Sequence, residues 1–542
     1  MRRFIRPLEI DEWKEKRVKK NPKSVEIAVD LKNFNLEQDI IKNEKNYRTI
    51  FRKCSDVVIR PFMLGKACEV GALLLYVDGL VDKGMVNNFL MRSVMLMMAD
   101  KSDMLTKENS FKLLKDCVIN IGEISVVETI EEAVDAALVG ECIFMVDGHT
   151  EVLVISVRGW QSRGISEPGT DSVVRGPKEG FTETMRFNTA MLRRKIKSPD
   201  LKIEVKTKGK FTKTDIAICY ISGLTNQGVI HEVFARIDRI DIDGILESAY
   251  VEELIEDEPW SPFPQMEYSE RPDVVAANLL EGRVAIMVDG TPFVLMVPTI
   301  FAQFLQSAED YYQRYYLSTV FRIFRFFALN IALLLPSAYV AATTFHQEMI
   351  PTPLLISIAS QREGVPFPAL LEALIMELTF ELLREAGIRL PKPIGQAVSI
   401  VGALVIGDAA VAAGLVSPAM VIVVAITAIA SFSLPAFNMA ITLRILRFPI
   451  ILLAGTLGFY GIMLALLATL IHLMGLRSFG VPYLAPVAPL RLTEWRDILV
   501  RAPWWTMDSR PQSIEARDQK RQVSGLKPGP KNDREEGDQG DA

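Results

Sequence analysis

Residues 394–432 read IGQAVSIVGALVIGDAAVAAGLVSPAMVIVVAITAIASF and hold a single ionisable side chain, Asp408. One bilayer crossing takes about 20 apolar residues. The run therefore reads as two spans, 394–415 and 418–434, joined by the turn GLVSP into a helical hairpin. Gly402, Ala403, Gly407, Ala409, Ala410, Ala412, Ala413 and Gly414 crowd the first of them, and small residues let neighbouring helices approach closely. Two further stretches are long and apolar enough to cross, 326–345 and 448–474, with Pro336 expected to kink the former.

Upstream of the hairpin lies PALLEALIMELTFELLREAGIRLP, residues 368–391. Glu377, Glu381 and Glu385 fall on one helical stripe, Arg384 beside them, with a broad apolar face opposite. Such a helix either lies flat with its acids in water or crosses with its acids facing a polar path, because carboxylates facing lipid are costly. Flanking charges bear on the choice. Arg322 and Arg325 place the start of the first span inside, and Arg389, Lys392, Arg444 and Arg447 flank the hairpin and favour the same side. That pattern needs the acidic helix to cross, giving five spans and an outward tail; four spans leave the tail inside. Asp408 reads either as an ion-path acid or as a helix-end residue near headgroups. YYQRYYLSTVFRIFRFF, residues 311–327, carries eight aromatics and three arginines, so Arg314, Arg322 and Arg325 read as interface anchors of a helix feeding the first span.

The chain before this region is mixed and charged, and it repeats. YVDGLVDKGMVNNFLMR (76–92) aligns without gaps on YISGLTNQGVIHEVFAR (220–236), and LVGECIFMVDGHTEVLV (138–154) aligns on LLEGRVAIMVDGTPFVLM (279–296), at offsets of 144 and 142. Each copy holds an apolar strand, a Gly turn, helical stretches and a hairpin whose turn is Asp147-Gly148 or Asp289-Gly290. Asp-Gly between β-rich runs is a strong type I′ hairpin signal. The fold class that follows is an α/β soluble region made of two related subdomains, followed by an α-helical integral membrane domain. The expected boundaries are a basic leader 1–24, a subdomain 25–158, a connecting segment 159–199 and a second subdomain 200–305. An interfacial helix 306–325, a transmembrane domain 326–474 of four to five spans, a membrane-proximal segment 475–507 and a disordered tail 508–542 complete the chain.

Several function classes fall away. A net charge of −5 argues against nucleic-acid binding. The five cysteines (Cys54, Cys68, Cys117, Cys142, Cys219) form no CxxC pair and suit a reducing compartment. GPKEGFT (176–182) lacks phosphate-loop spacing, DRIDIDG (238–244) lacks calcium-loop ligands, and the four histidines are scattered, so neither an enzyme nor a cofactor or metal site is expected. The leader has no apolar core of a signal sequence, which leaves the front half in the cytoplasm.

Long idiosyncratic stretches carry a resemblance. RGPKEGFTETMRFNTAMLRRKI (175–196), YVEELIEDEPWSPFPQMEYSERPDVVAANLLEGRVAIMVDGTPFVLMVP (250–298), EGVPFPALLEALIMELTFELLREAGIRLP (363–391), the 394–432 run and SFGVPYLAP (478–486) resemble the GerA family of spore germination proteins, specifically the A-type subunit of nutrient germinant receptors. The resemblance implies a multi-pass protein of the spore inner membrane, partnered by a transporter-like B subunit and a lipoprotein C subunit. It further implies a homo-oligomeric ring, contact with membrane lipid, nutrient responsiveness and release of monovalent cations during germination, without enzymatic chemistry. On this chain the candidate ion-path residues are then Glu372, Glu377, Glu381, Glu385 and Asp408. A stand-alone accessory protein of the same family, a secondary transporter and a non-conducting scaffold stay open; against the transporter, the repeat lies in the soluble half rather than in the membrane half.

Overall fold

The computed structural model of the protein describes residues 28–65, 70–100, 109–115, 123–159, 175–389 and 407–529. The expected basic leader, most of the first hairpin span (394–406), Cys68, Cys117 and the end of the tail (530–542) lie outside the described residues.

The two sequence repeats fold alike. The first unit comprises α1 (Ile40–Ile50), β1 (Val57–Leu64), β2 (Val70–Val77), a helix that opens as π (Met85–Met91) and continues as α2 (Arg92–Asp100), a short α3 (Ser110–Leu113), β3 (Ile124–Val127), α4 (Ile130–Leu138), β4 (Cys142–Val146) and β5 (Val152–Ile155). The second comprises α5 (Met185–Lys195), β6 (Leu201–Lys208), β7 (Thr214–Ile221), α6 (Gln227–Asp238), α7 (Ser248–Ile255), β8 (Glu267–Ser269), α8 (Pro272–Leu280), β9 (Val284–Val288) and β10 (Val294–Val297). Both sheets are five-stranded and antiparallel, ordered β1-β2-β4-β5-β3 and β6-β7-β9-β10-β8. Helices cover both faces, so the middle of each central strand is apolar on both sides. In β7, Ile216, Ile218 and Tyr220 pack on one side, Ala217 and Cys219 on the other. Cys54, Cys142 and Cys219 are free and buried.

The Asp-Gly pairs do form hairpins, but through five-residue connections rather than two-residue turns. Only the glycines adopt positive φ, +93° at Gly148 and +94° at Gly290. The aspartates have another task. Asp147 Oδ1 accepts the Ile40 N–H at 3.3 Å and Asp289 Oδ1 accepts the Met185 N–H at 3.0 Å, each at the start of its unit's first helix. A buried Asn then clamps the chain entering that helix. The Asn43 amide donates to the Glu37 carbonyl at 2.6 Å, and the Asn188 amide to the Thr182 carbonyl at 2.6 Å.

The expected connector 159–199 thus ends in a structural helix. Its Gly/Pro-rich first part hides the apolar spacing of Phe181, Met185, Met191, Leu192 and Ile196, which pack under the second sheet. Helix α5 also joins the units. Arg193, fully buried, grips Asp56 of the first unit with two bonds of 2.9 and 3.0 Å. Beside it Ser55 N–H donates to the Ile203 carbonyl and Ile203 N–H to the Lys53 carbonyl, so the first unit's chain covers the β6 edge.

The helical part comprises α9 (Tyr315–Thr344), α10 (Thr352–Arg362), α11 (Ala369–Arg389), a short helical stretch 407–412, α12 (Pro418–Phe432), α13 (Phe437–Leu457) and α14 (Phe459–Gly475). Among the described residues α9 and α13 are long and apolar enough to cross a membrane, and α12 and α14 are shorter apolar helices. Two expectations change. The aromatic segment is no separate interfacial helix, because α9 runs unbroken from Tyr315 through Pro336. The stretch 448–474 is not one span either. Gly458, at φ +64°, turns the chain back between α13 and α14, and a Cβ there would strike His346.

Contacts fix the direction of each helix. Asn438 and Thr442, early in α13, bond Tyr268 and the Pro262 carbonyl of the second unit, and His472, late in α14, sits 2.8 Å from Ser261. At the far end the His346 ring packs 5.0 Å from Phe459. Helix α11 runs antiparallel to α13, with Leu370 against Gly455 and Glu377 against Arg447. Helix α12 starts level with Glu372 and ends where Ala430 meets Ala328 and Ala332. The bundle therefore leaves the second unit at α9 and returns to it at α14, where Phe479 enters that unit's core.

The tail expected to be disordered is partly packed. Over residues 510–521 the chain lies on the second unit. Ile514 and Ala516 are buried, and Arg517 N–H donates to the Leu224 carbonyl at 2.8 Å beside Gly282. In the first unit the matching Leu80 carbonyl, beside Gly140, accepts the Gly159 N–H at 3.2 Å. Composition hid this because the burial is small and the main-chain bond needs no particular side chain.

Two outcomes follow. Asp56→Ala strands a buried guanidinium and lowers stability by about 3–5 kcal/mol, whereas Asp56→Leu with Arg193→Met recovers most of it; urea unfolding of the full chain in detergent, with hydrogen exchange at β6, reads both. On α7, burial and neighbouring acids push Glu252 and Glu256 up to about 7 from the usual 4.5. The folded state then holds more protons than the unfolded one between these values, so the second unit loses stability as pH rises from about 4.5 through about 7. Glu252→Gln flattens that slope in a pH series of melting curves.

Candidate functional site

The acidic helix meets a basic partner inside the bundle. Along α11, Glu372 and Glu377 are buried, Glu381 is part-exposed and Glu385 is exposed, so the stripe runs from interior to surface. Arg447 and Arg444, one turn apart on α13, come level with it. Arg447 Nη1 donates to Glu377 Oε2 at 2.5 Å and its Nε to the Ala332 carbonyl of α9 at 2.8 Å. Arg444 Nη1 donates to Glu381 Oε1 at 2.9 Å, and Arg384 pairs with the same oxygen. These arginines do not flank a span. They lie within α13, both buried.

Glu372 is held differently. It sits at the N-terminus of α12, where its Oε1 accepts the Ser417 N–H at 2.6 Å and the Ser417 hydroxyl. Arg362, from the end of α10, stands 3.7 Å from Oε2. Ser417 in turn caps α12 by accepting the Met420 N–H at 3.3 Å. Among the described residues Glu385 makes an exposed ion pair with Arg389 along its own helix. Asp408 is exposed, in the short helical stretch 407–412.

Buried polar capacity remains along this seam. Glu372 Oε2, Glu377 Oε1, Arg447 Nη2, Tyr339 Oη and Ser337 Oγ have no hydrogen-bond partner among the described residues. Such atoms in an apolar surround are where water or an ion is retained. Among the described residues no cluster of His, Cys, Asp and Glu is arranged to hold a metal.

The three expected anchors divide. Arg314 is at the surface, donating to the Tyr316 hydroxyl at 3.0 Å. Arg322 and Arg325 turn into the protein instead of reaching for headgroups. Arg322, 2% exposed, bonds Asp310 at 3.0 Å and Asp497 at 2.9 Å, and Arg325 bonds Asp310 at 2.7 Å. Asp310 lies before α9 and Asp497 after the whole bundle, so this cluster locks the root of the bundle closed.

Sequence reading found the acids, took Arg444 and Arg447 only as charges flanking the hairpin, and missed Arg362, Ser417, Asp310 and Asp497. A signal that the two arginines pair with the acids was present. Arg444 and Arg447 stand three apart in an otherwise apolar run, matching the four-residue spacing of Glu377 and Glu381 on an antiparallel helix.

The profile of the family described as Bacillus/Clostridium GerA spore germination protein matches residues 45–513. Spore germination protein KA of Bacillus subtilis (strain 168) is 47% identical over 511 residues, covering 93% of both chains. The uncharacterized membrane protein YfkQ of the same organism is 46% identical over 88% of this chain and 91% of its own, and spore germination protein B1 is 39% identical over 90% and 99%. Among solved structures, the N-terminal domain of the A subunit of the Bacillus megaterium spore germinant receptor GerK3 matches 49% of this chain and 98% of its own, at 37% identity and a TM-score of 0.40.

Glu377→Ala leaves Arg447 uncompensated in the bundle and lowers the melting temperature of the detergent-solubilised chain, by about 3–5 kcal/mol of stability. Glu377→Ala with Arg447→Leu restores most of the loss. Glu385→Ala shifts stability by no more than about 1 kcal/mol, as an exposed pair does.

Proposed function

The chain belongs to the Bacillus/Clostridium GerA family of spore germination proteins, and from that premise we propose that it is the A-type membrane subunit of a germinant receptor. In this reading it works with a transporter-like B subunit and a lipoprotein C subunit in the spore inner membrane. Several copies form a ring, and the ring forms or gates a path for monovalent cations when nutrient is sensed. The observation that carries the reading is the buried pair Glu372 and Glu377, each of which keeps a carboxylate oxygen without a hydrogen-bond partner inside an apolar bundle. Carboxylates so placed attract cations, as acidic rings do in cation pores.

The directions of the described helices support an even number of passes over five, because α9 leaves from the second α/β unit and α14 returns to it. The arginines of α13 make a crossing by α11 tolerable, since each of its inner acids has a counter-charge. The α/β units and the tail then share the cytoplasmic side.

A second reading, a scaffold that holds partner subunits without conducting, draws on the same pairing: Glu377 and Glu381 are already neutralised within one chain.

The test is cation flux. The assembled receptor in liposomes is expected to release K⁺ on nutrient addition, and Glu372→Gln with Glu377→Gln is expected to alter conductance or cation selectivity. Nutrient-evoked flux that is identical in wild type and variant rejects the seam as the path and favours the scaffold. Cysteines placed at 363 and 520 are expected to react with an impermeant thiol reagent from opposite sides.

A further inference from the structure

A cavity of about 240 Å³ lies where three distant stretches meet: the second unit around Glu281–Arg283, the segment 493–502 after the bundle, and the tail at 506–512. At about 30 Å³ per water it has room for on the order of eight waters, so its occupant is small.

Its charged lining is unequally engaged. The carboxylates all have partners. Glu281 bonds Arg521 at 3.0 Å and faces Arg283 at 3.4 Å. Glu494 accepts the Ser513 N–H at 3.0 Å and its hydroxyl, and Asp497 takes Arg322 at 2.9 Å and the Tyr311 hydroxyl at 2.8 Å. The guanidiniums are not all satisfied. The Arg283 side chain is only 4% exposed, bonds the Pro298 carbonyl and Gln303, and leaves Nε without a partner. Arg496 lines the cavity with no described partner for its guanidinium. An entering ligand therefore meets the unpartnered guanidinium of Arg496, with the charge of Arg283 behind the wall, and no free acid in the lining. Ile300, Ile498 and Met507 supply an apolar wall. A charge-assisted bond on one side and an apolar wall on the other select an anion with a compact apolar body.

We propose that this cavity is a binding site for a small organic carboxylate, held by Arg283 and Arg496. The site is independent of the ion path, and its occupant joins the tail to the second unit next to Asp497, the residue that holds Arg322 at the root of α9.

The test uses the full chain in detergent micelles. Isobutyrate, benzoate, their neutral amides and inorganic phosphate are titrated at constant ionic strength, and thermal stability is followed by tryptophan fluorescence. Saturable stabilisation by the carboxylates is expected, with the amides weaker by about tenfold or more. Arg496→Gln, at the surface and safe for folding, weakens carboxylate binding by about tenfold; Arg283→Gln does the same, and Arg239→Gln, on α6's exposed end, leaves it unchanged. Absence of saturable carboxylate binding overturns the proposal, as does equal binding of acids and amides or indifference to Arg496→Gln. Tighter binding of phosphate than of benzoate overturns the organic part of the assignment in favour of an inorganic anion.

Discussion

An arginine taken out of water keeps its charge, and an acid beside it is the partner that compensates its burial most fully. The architecture of this chain is organised around such meetings, each joining separate elements: Arg193 with Asp56, Arg322 with Asp310 and Asp497, Arg447 with Glu377. Apolar burial supplies most of the driving force but has no direction. A forked guanidinium on a carboxylate has one geometry. The first of these pairs fixes how the two α/β units face one another, the second closes the bundle at its base, and the third sets the register of two helices that are otherwise smooth and apolar. A greasy helix pair can slide by a turn at little cost; one carrying Glu377 against Arg447 cannot.

Much of the α/β architecture was legible because it is local and repeated. The duplicated Gly and Asp-Gly positions predicted two related units, and the sheets share one strand order. The reason for Asp147 and Asp289 was not legible from the turn. Each aspartate serves a helix more than a hundred residues away, and no local pattern announces a long-range cap. The apolar segments of the C-terminal half were readable by hydropathy, but their limits were not. Hydropathy averages over Gly458 and joins two helices into one, and it cannot separate an aromatic helix start from an aromatic interfacial helix. The candidate acids were visible as an oddity in an apolar context. Their partners were hidden because pairing depends on which helices lie side by side, which a single sequence does not state.

The seam between α11 and α13 combines two demands that usually conflict. The helices must be apolar outside to live among neighbouring hydrocarbon groups, as exposed Leu371, Ile375, Leu378 and Leu382 on α11 illustrate. They must also hold charge inside without losing it to solvent. Matching each inner acid with an arginine from a neighbouring helix meets both demands and leaves oxygens over, on Glu372 and Glu377, that the single chain does not use. Because Glu372 is tied to the start of α12 and Glu377 to α13, any movement of α11 is felt by both neighbours.

The groove beside Gly140 in the first unit is closed by Gly159, which follows directly in the chain, whereas the equivalent groove beside Gly282 in the second unit is closed by Arg517. This difference sets a timetable during synthesis. The first unit has all its parts as soon as residue 159 clears the ribosome. The second must wait, one turn carbonyl unfilled, until every helix of the bundle has been made and the stretch around Arg517 arrives. Maturation of the second unit therefore reports that the bundle has been made, and a chain truncated after the bundle would leave the Leu224 carbonyl of the second unit without its Arg517 partner.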